Sequence, residues 1–136
     1  MVCIDCPPDI GIYTLNAFIA RDYIIVPMIP ERLSLEGYQQ LQEKVGIVQD
    51  MGVNVEIMGA VITLFQGRLA VHEEWREQIA KGFGDRLLGV IHAAAEMKRL
   101  SETKQLLTES TRSQRVYLEH LKLTQKIASV LGVDFS

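Results

Sequence analysis

Residues 55–64 read VEIMGAVITL, and an apolar run extends from Met58 to Phe65 with only a glycine and a threonine inside it. A continuous apolar run of this length is typical of a strand that is buried on both faces, as strands of a parallel sheet are. Two similar runs occupy Tyr23–Pro27 and Leu87–His92. Met1–Asp5 is apolar and runs into a double proline, which would end a strand. The sequence therefore predicts four buried strands.

Helical patterns separate these strands. Thr14–Ala20 predicts a short helix. Ser34 offers an N-cap, apolar residues then recur at 35, 38, 41, 45 and 48, and Gly52 stands where the glycine after a helix belongs. Apolar residues four apart predict a helix over residues 71–83, and Ser110–Leu131 predicts the last one. The alternation predicts an α/β fold with a parallel sheet and right-handed crossovers.

The composition excludes several classes of protein. The 136 residues are 48% hydrophobic and 23% charged with a net charge of −3, which excludes a disordered chain and a binder of nucleic acid that is basic throughout. One domain over residues 1–136 is the expectation at this length. The longest apolar stretches fall short of the ~20 residues of a membrane span, and Asp5 stands where a signal peptide would be basic. Two cysteines form no disulfide framework, so we expect a cytoplasmic protein without a membrane partner.

Charge is unevenly distributed along the chain. Residues 1–85 carry 6 basic and 12 acidic side chains, whereas residues 86–126 carry 8 basic and 4 acidic ones. Two interpretations stay open: a basic face that contacts an acidic partner, or an ordinary solvated helix surface.

Two short motifs favour structural roles. Cys3 and Cys6 form a C-x-x-C, but a redox pair needs a helix N-terminus and a zinc site needs further ligands, so two buried thiols are predicted. His72 begins the sequence HEEW, which fails the H-E-x-x-H pattern of zinc proteases because position 76 is arginine. We predict that His72 and its charged neighbours form the solvated face of a helix that buries Trp75.

Asp5 is the one candidate for chemistry that the spacing suggests. It ends a predicted apolar strand, and ligands of open α/β sheets bind beyond the carboxyl ends of the strands. A carboxylate there is suited to hold Mg²⁺, directly or through water.

Several segments together resemble the ParA branch of the ParA/MinD-type partition ATPases. VCIDCPPDIG at residues 2–11, with TLNA at 14–17, resembles the family's D-x-P-P-x-x-G…N-A segment, and DYIIVP at 22–27 with SLEG at 34–37 resembles its next strand and helix start. GAVITLF at 59–65 with the following Gly67 and Arg68 resembles another strand and its exit. FGD at 83–85 and RLSE at 99–102 resemble a later stretch. The similarity extends from residue 1 to about residue 107.

This resemblance implies a deviant P-loop ATPase that dimerises with ATP, binds DNA without sequence preference and positions a plasmid, chromosome or protein cargo. Asp5 would hold Mg²⁺ through water and take part in catalysis. Pro7, Pro8 and Gly11 would belong to a nucleotide-sensing switch, with Asn16 behind it. ATP and Mg²⁺ are the cofactors that the resemblance implies.

Other residues would serve the adenine and the partners. The strand over residues 87–92 resembles the one whose end walls the adenine, although His92 and Ala93 replace the family's Pro-Arg. Arg68 and Arg99 match or neighbour basic positions that contact DNA in the family. The implied partners are a ParA-like dimer partner, a centromere-binding-type protein and DNA, bound weakly and without sequence preference.

The family's glycine-rich K-G-G-x-G-K-T loop does not occur in these residues. Its amides and lysines hold the phosphates, so the isolated chain is expected to bind ATP weakly or not at all and to be inactive. We interpret the chain as the C-terminal half of such an ATPase, shortened by truncation or by a late start, that works only with a P-loop half. The family's P-loop strand would lie between Met1–Asp5 and Tyr23–Pro27, leaving a gap in the sheet. A non-enzymatic interaction module is the alternative, and an unrelated α/β domain is the third.

Overall fold

The computed structural model describes residues 2–7, 11–20, 22–108 and 114–133, without the side chain of Glu96. In these ranges three strands alternate with helices. The strands are β1 (Tyr23–Met28), β2 (Glu56–Phe65) and β3 (Leu87–His92). The helices are α1 (Ile12–Ile19), α2 (Arg32–Asp50), α3 (Ala70–Phe83), α4 (Ala95–Thr103) and α5 (Gln114–Leu131), and a 3₁₀ turn at Gly84–Arg86 precedes β3.

The sheet is parallel throughout, in the order β1-β2-β3, which confirms the predicted α/β class. Strand β2 is central, and its residues from Ile57 to Ile62 are all buried, as the uninterrupted apolar run predicts. Gly59 is required in this strand, because a Cβ there would lie 2.1 Å from the carbonyl oxygen of Arg86. The close approach of β2 to the turn before β3 therefore depends on glycine.

Helices cover both faces of the sheet. On one face, α1, α2 and α3 pack against β1 and β2 through a core that includes Phe18, Val45 and Ile79. On the other face, α5 covers β2 and β3 through apolar side chains that include Leu123 and Ile127. The three-layer arrangement leaves the carboxyl ends of β2 and β3 side by side.

Helix α2 confirms the predicted apolar spacing and terminal glycine but not the predicted N-cap. Its apolar spacing is confirmed, since Val45 and Val48 are buried in the core. Gly52 follows the helix with a φ of +85°, a left-handed conformation that glycine adopts readily. The predicted cap at Ser34 is wrong, because Glu31 is the N-cap and Ser34 lies inside the first turn. Its hydroxyl instead accepts a hydrogen bond from the backbone N–H of Ile29 at 3.2 Å.

The predicted strand at Met1–Asp5 is also wrong for the residues that can be compared. Residues 2–7 lie in no strand, and Met1 is outside the described residues. An apolar run becomes a strand only where a neighbouring strand completes its hydrogen bonds, and β1 pairs with β2 alone within the described ranges. Within those ranges β1 therefore has one open edge, on the side where the sequence predicts the missing strand.

The thiols of the C-x-x-C are not buried as predicted. Cys3 is exposed and Cys6 is half-buried, because the segment that carries them does not enter the sheet. The predicted apolar stripe of α3 is buried only in its second half, at Ile79 and Phe83, whereas Trp75 is half-buried.

Helices α4 and α5 differ in how clearly the sequence predicts them. Residues 95–103, for which the sequence gives no clear pattern, form α4. The predicted start of the last helix at Ser110 lies outside the described residues; within α5, Val116 and Ala128 are buried, whereas Val130 is 50% exposed. Over the described ranges, none of the helices has both the length and the apolar character that a membrane crossing requires.

Candidate functional site

A cleft of about 480 Å³ opens where β2 and β3 end. It lies beyond the carboxyl ends of two parallel strands, the position at which open α/β sheets bind ligands. The loop after β2, the end of β3 and the first turns of α5 contribute its walls. The lining residues are Phe65, Gln66, Gly67, Arg68, His92, Ala93 and Arg115.

A bulge in β2 shapes this cleft. Ile62 pairs with Val90 and Phe65 pairs with His92, so β2 holds one more residue than β3 between the two pairs. Leu64 lies in the bulge with a φ of +54°, a left-handed conformation that is strained for a residue with a Cβ. The bulge directs the next residue, Phe65, towards the end of β3.

Phe65 contacts two residues at the end of β3, His92 and Ala93. Its carbonyl oxygen accepts a hydrogen bond from the backbone N–H of Ala93 at 2.9 Å. Its ring lies edge-on to the ring of His92, with centroids 5.0 Å apart and an interplanar angle of 78°. The aromatic wall of the cleft therefore has a fixed geometry.

Helix α5 is held to the end of β3 by one carboxylate. Oε2 of Glu119 accepts a hydrogen bond from the backbone N–H of His92 at 2.9 Å, and Oε1 lies 2.7 Å from the Nδ1 of the same residue. The Nε of Arg115 is 3.4 Å from Oε1. The Glu119 side chain is only 16% exposed, so these donors replace much of its hydration.

Another histidine, His72, is half-buried and contacts two of the lining residues, which corrects the prediction of a purely solvated role. The Nδ1 of His72 accepts a hydrogen bond from the backbone N–H of Gln66 at 3.1 Å, and its ring centroid lies 6.2 Å from that of Phe65. The neighbouring pair is local to α3: the Nε of Arg76 donates to Glu73 at 2.9 Å. The Arg76 guanidinium holds the pKa of the Glu73 carboxyl below its usual value.

The structure brings together three of the residues that the sequence predicts for a site. Arg68, His92 and Ala93 line the same cleft, although the first was predicted for DNA and the others for adenine. Arg115 and Glu119 were missed. Their spacing of four residues on a helix is a visible signal, but it does not reveal which strand end they reach.

The remaining predicted site residues lie elsewhere. Asp5 and Pro7 are exposed in the segment that forms no strand, so the placement of Asp5 at a strand end is wrong. Gly11 is the N-cap of α1, and Asn16 is exposed on that helix. Pro8 lies outside the described residues. Among the described side chains, no three His, Cys, Asp or Glu residues cluster as a metal site would require.

The basic side chains of the C-terminal part are partly engaged in the fold. Lys126 donates from Nζ to the carbonyl oxygen of Leu87 at 2.7 Å, and Arg86 lies over the ring of Phe83. Arg99 is exposed on α4 and reaches the side chain of Gln105 at 3.4 Å. Several of these side chains are therefore oriented by contacts within the fold, although their charges stay uncompensated by those neutral partners.

Comparison with solved structures identifies the class of this fold. A plasmid partition protein from Borrelia burgdorferi B31, solved with AMPPNP, superposes with a TM-score of 0.69 at 21% identity, covering 85% of this chain and 43% of that one. Cobyrinic acid a,c-diamide synthase from Mycobacterium smegmatis, solved with ADP and magnesium, superposes with a TM-score of 0.58 at 24% identity, covering 93% of this chain and 44% of the other. The fold is that of the P-loop NTPase partition proteins and their structural neighbours.

Sequence comparison leads to the family. A family model described as an AAA domain matches residues 1–58. The chromosome partitioning protein ParA of Caulobacter vibrioides is 33% identical over 91 residues, covering 66% of this chain and 34% of the relative. Soj, the sporulation initiation inhibitor protein of Bacillus subtilis, is 30% identical over 128 residues, covering 89% and 50%. The chain belongs to the ParA/Soj family of partition proteins, and it spans between a third and a half of the length of these relatives.

Proposed function

We propose that this chain supplies the base-binding and DNA-facing part of a ParA-type partitioning ATPase, which depends on ATP only together with a P-loop half. The observation that carries this proposal is the cleft beyond β2 and β3, because it combines an aromatic wall, two arginines and a position typical of nucleotide sites in a chain of this family. Its volume is in the range of small-molecule sites. We propose that the protein acts in the cytoplasm.

The cleft suits a nucleoside better than a phosphate chain. The ring of Phe65 and the planar guanidinium group of Arg115 provide surfaces against which a base can pack. His92 and Ala93 complete the wall at the end of β3. We assign adenine to this cleft, in keeping with the nucleotides held by the structural neighbours.

The triphosphate and the metal need other groups. Asp5 is an exposed carboxylate, and Mg²⁺ binds through one or two carboxylates while keeping much of its water. In this proposal Asp5 holds the hydrated ion, Pro7, Pro8 and Gly11 form the switch next to it, and Asn16 supports that switch. No phosphate-binding loop of the G-x-x-x-x-G-K-[ST] type occurs in these 136 residues, so the phosphates must be held by another segment.

The proposed partners follow from the same assignment. Arg68 and Arg99 contact DNA phosphates, which gives binding without sequence preference. A second ParA-like subunit and a centromere-binding-type protein complete the assembly.

A fusion protein with a P-loop half tests this function. The chain is fused to the P-loop half of Soj, and ATP hydrolysis is measured for the chain alone and for the fusion. We expect turnover only in the fusion, loss of turnover on Asp5→Ala, and no loss on Asp50→Ala, which removes another exposed carboxylate, at the end of α2. Turnover by the chain alone, or by the Asp5→Ala fusion, would refute the assignment. If the fusion binds no ATP while the chain still binds DNA, the interaction module becomes the better description.

A further inference from the structure

The ring of His92 is held at one nitrogen and free at the other. Its Nδ1 faces Oε1 of Glu119 at 2.7 Å, and its backbone N–H donates to the second oxygen of that carboxylate. Within the described part of the chain, Nε2 has no hydrogen-bond partner. The side chain lines the cleft and is 26% exposed, so an occupant of the cleft can contact this ring.

The carboxylate fixes the tautomer of the neutral ring. An ionised carboxylate only accepts hydrogen bonds, so the proton of a neutral imidazole must be on Nδ1 when that nitrogen faces Glu119. Nε2 is then an acceptor. The edge-on contact with Phe65 and the contact between Nδ1 and Oε1 of Glu119 keep the ring from turning.

We propose that Glu119 is a positioning residue that makes His92 the specificity-determining group of this cleft, selecting a base that presents an amino group over one that presents a carbonyl oxygen. Adenine presents its N6 amino group, whereas guanine presents O6, an acceptor that would face the acceptor Nε2. This inference rests on the proposed binding of a nucleoside in the cleft. It goes further in naming which atoms discriminate between bases.

The first test needs no ligand and no variant. Nitrogen-15 NMR of the imidazole groups of the full chain, recorded at about pH 8, distinguishes the two neutral tautomers. We expect the Nδ1–H form for His92. The Nε2–H form in the unmodified protein would overturn the inference, whatever the cleft binds.

The second test measures discrimination. Backbone amide shifts of the chain are followed during titration with AMP and, separately, GMP at millimolar concentrations. One hydrogen bond gained or lost predicts a preference for AMP of about three- to tenfold. Glu119→Gln keeps the shape of the side chain but offers an amide that both donates and accepts, so the preference should fall to about twofold or less. Glu36→Gln, the same change in a surface ion pair with Arg32, should leave it unchanged.

The outcomes separate this inference from the proposed function. AMP and GMP bound equally in the cleft by the unmodified chain would refute the role of His92 and leave nucleotide binding standing. If AMP shifts no signal of the cleft, the inference fails even where a fused P-loop half confers ATP hydrolysis. A Glu119→Gln variant that keeps both the tautomer and the preference would also overturn it.

Discussion

Gly59→Ala should be the most damaging single-methyl change in the sheet. The added Cβ would lie 2.1 Å from the carbonyl oxygen of Arg86 and 3.0 Å from Cγ of Leu88. The first of these atoms belongs to the backbone, so no side-chain rotation relieves the contact. Strand β2 and the turn before β3 must separate by more than about 1 Å, which lengthens hydrogen bonds near the start of β3 beyond their working range.

The cost follows from two contributions. Overpacking of a close-packed interior costs about 1–3 kcal/mol, and each hydrogen bond lost at the start of β3 adds about 1 kcal/mol. We expect the free energy of unfolding to fall by about 3 kcal/mol. Gly46→Ala is the matched control, because a Cβ there meets nothing within 4 Å and alanine is favoured over glycine inside a helix by about 0.5–1 kcal/mol.

Urea unfolding followed by circular dichroism measures both variants. The same chemical change should destabilise the protein in β2 and stabilise it in α2. If Gly59→Ala fails to fold, repeating it in the Gly46→Ala background gives a measurable value. A Gly59→Ala protein within about 1 kcal/mol of the unmodified chain would refute the close approach of β2 to the turn before β3, and with it the geometry that brings the two strand ends to the cleft.

Three further outcomes are expected. Isothermal titration of the isolated chain with ATP and Mg²⁺ should show no micromolar binding, since the phosphate-binding loop is not among its residues; such binding would reveal a phosphate site elsewhere. Binding to DNA should be no tighter than about 10⁻⁴–10⁻⁶ M, weaken steeply with salt, and fall with Arg68→Glu or Arg99→Glu but not with Lys44→Glu, as mobility shifts at low salt would show. The open edge of β1 should cause association that rises with concentration in sedimentation runs and is reduced by Ile25→Lys, whereas a concentration-independent monomer would mean that this edge is protected.

Strands that are buried on both faces are the elements that the sequence predicts best. Strand β3 was predicted with the bounds that the structure has, and β2 within one residue at each end, because a continuous apolar run has few other stable placements. The same reasoning failed at Met1–Asp5. An apolar segment forms a strand only where an adjacent strand completes its backbone hydrogen bonds. Which segments become adjacent is decided by the whole fold and not by the local sequence.

The cleft could be predicted only in part. Resemblance selected His92, Ala93 and Arg68, which the fold places together. It gave no reason to pair His92 with Glu119, 27 residues further along the chain, because the register of α5 against β3 depends on packing across the sheet. Sequence spacing specifies which residues share one helix face, whereas contact between elements is decided by the whole core.

At the carboxyl end of β2, the backbone departs from regular strand geometry. Leu64 adopts a left-handed conformation that costs a residue with a Cβ about 1–2 kcal/mol. Such a conformation persists only where surrounding contacts over-determine it, and the hydrogen bond from Ala93 to Phe65 together with the ring contact of Phe65 and His92 does so here. The bulge turns an aromatic ring and a histidine towards one cleft, and strained residues of this kind concentrate at functional sites, which supports the proposal that this cleft binds the ligand.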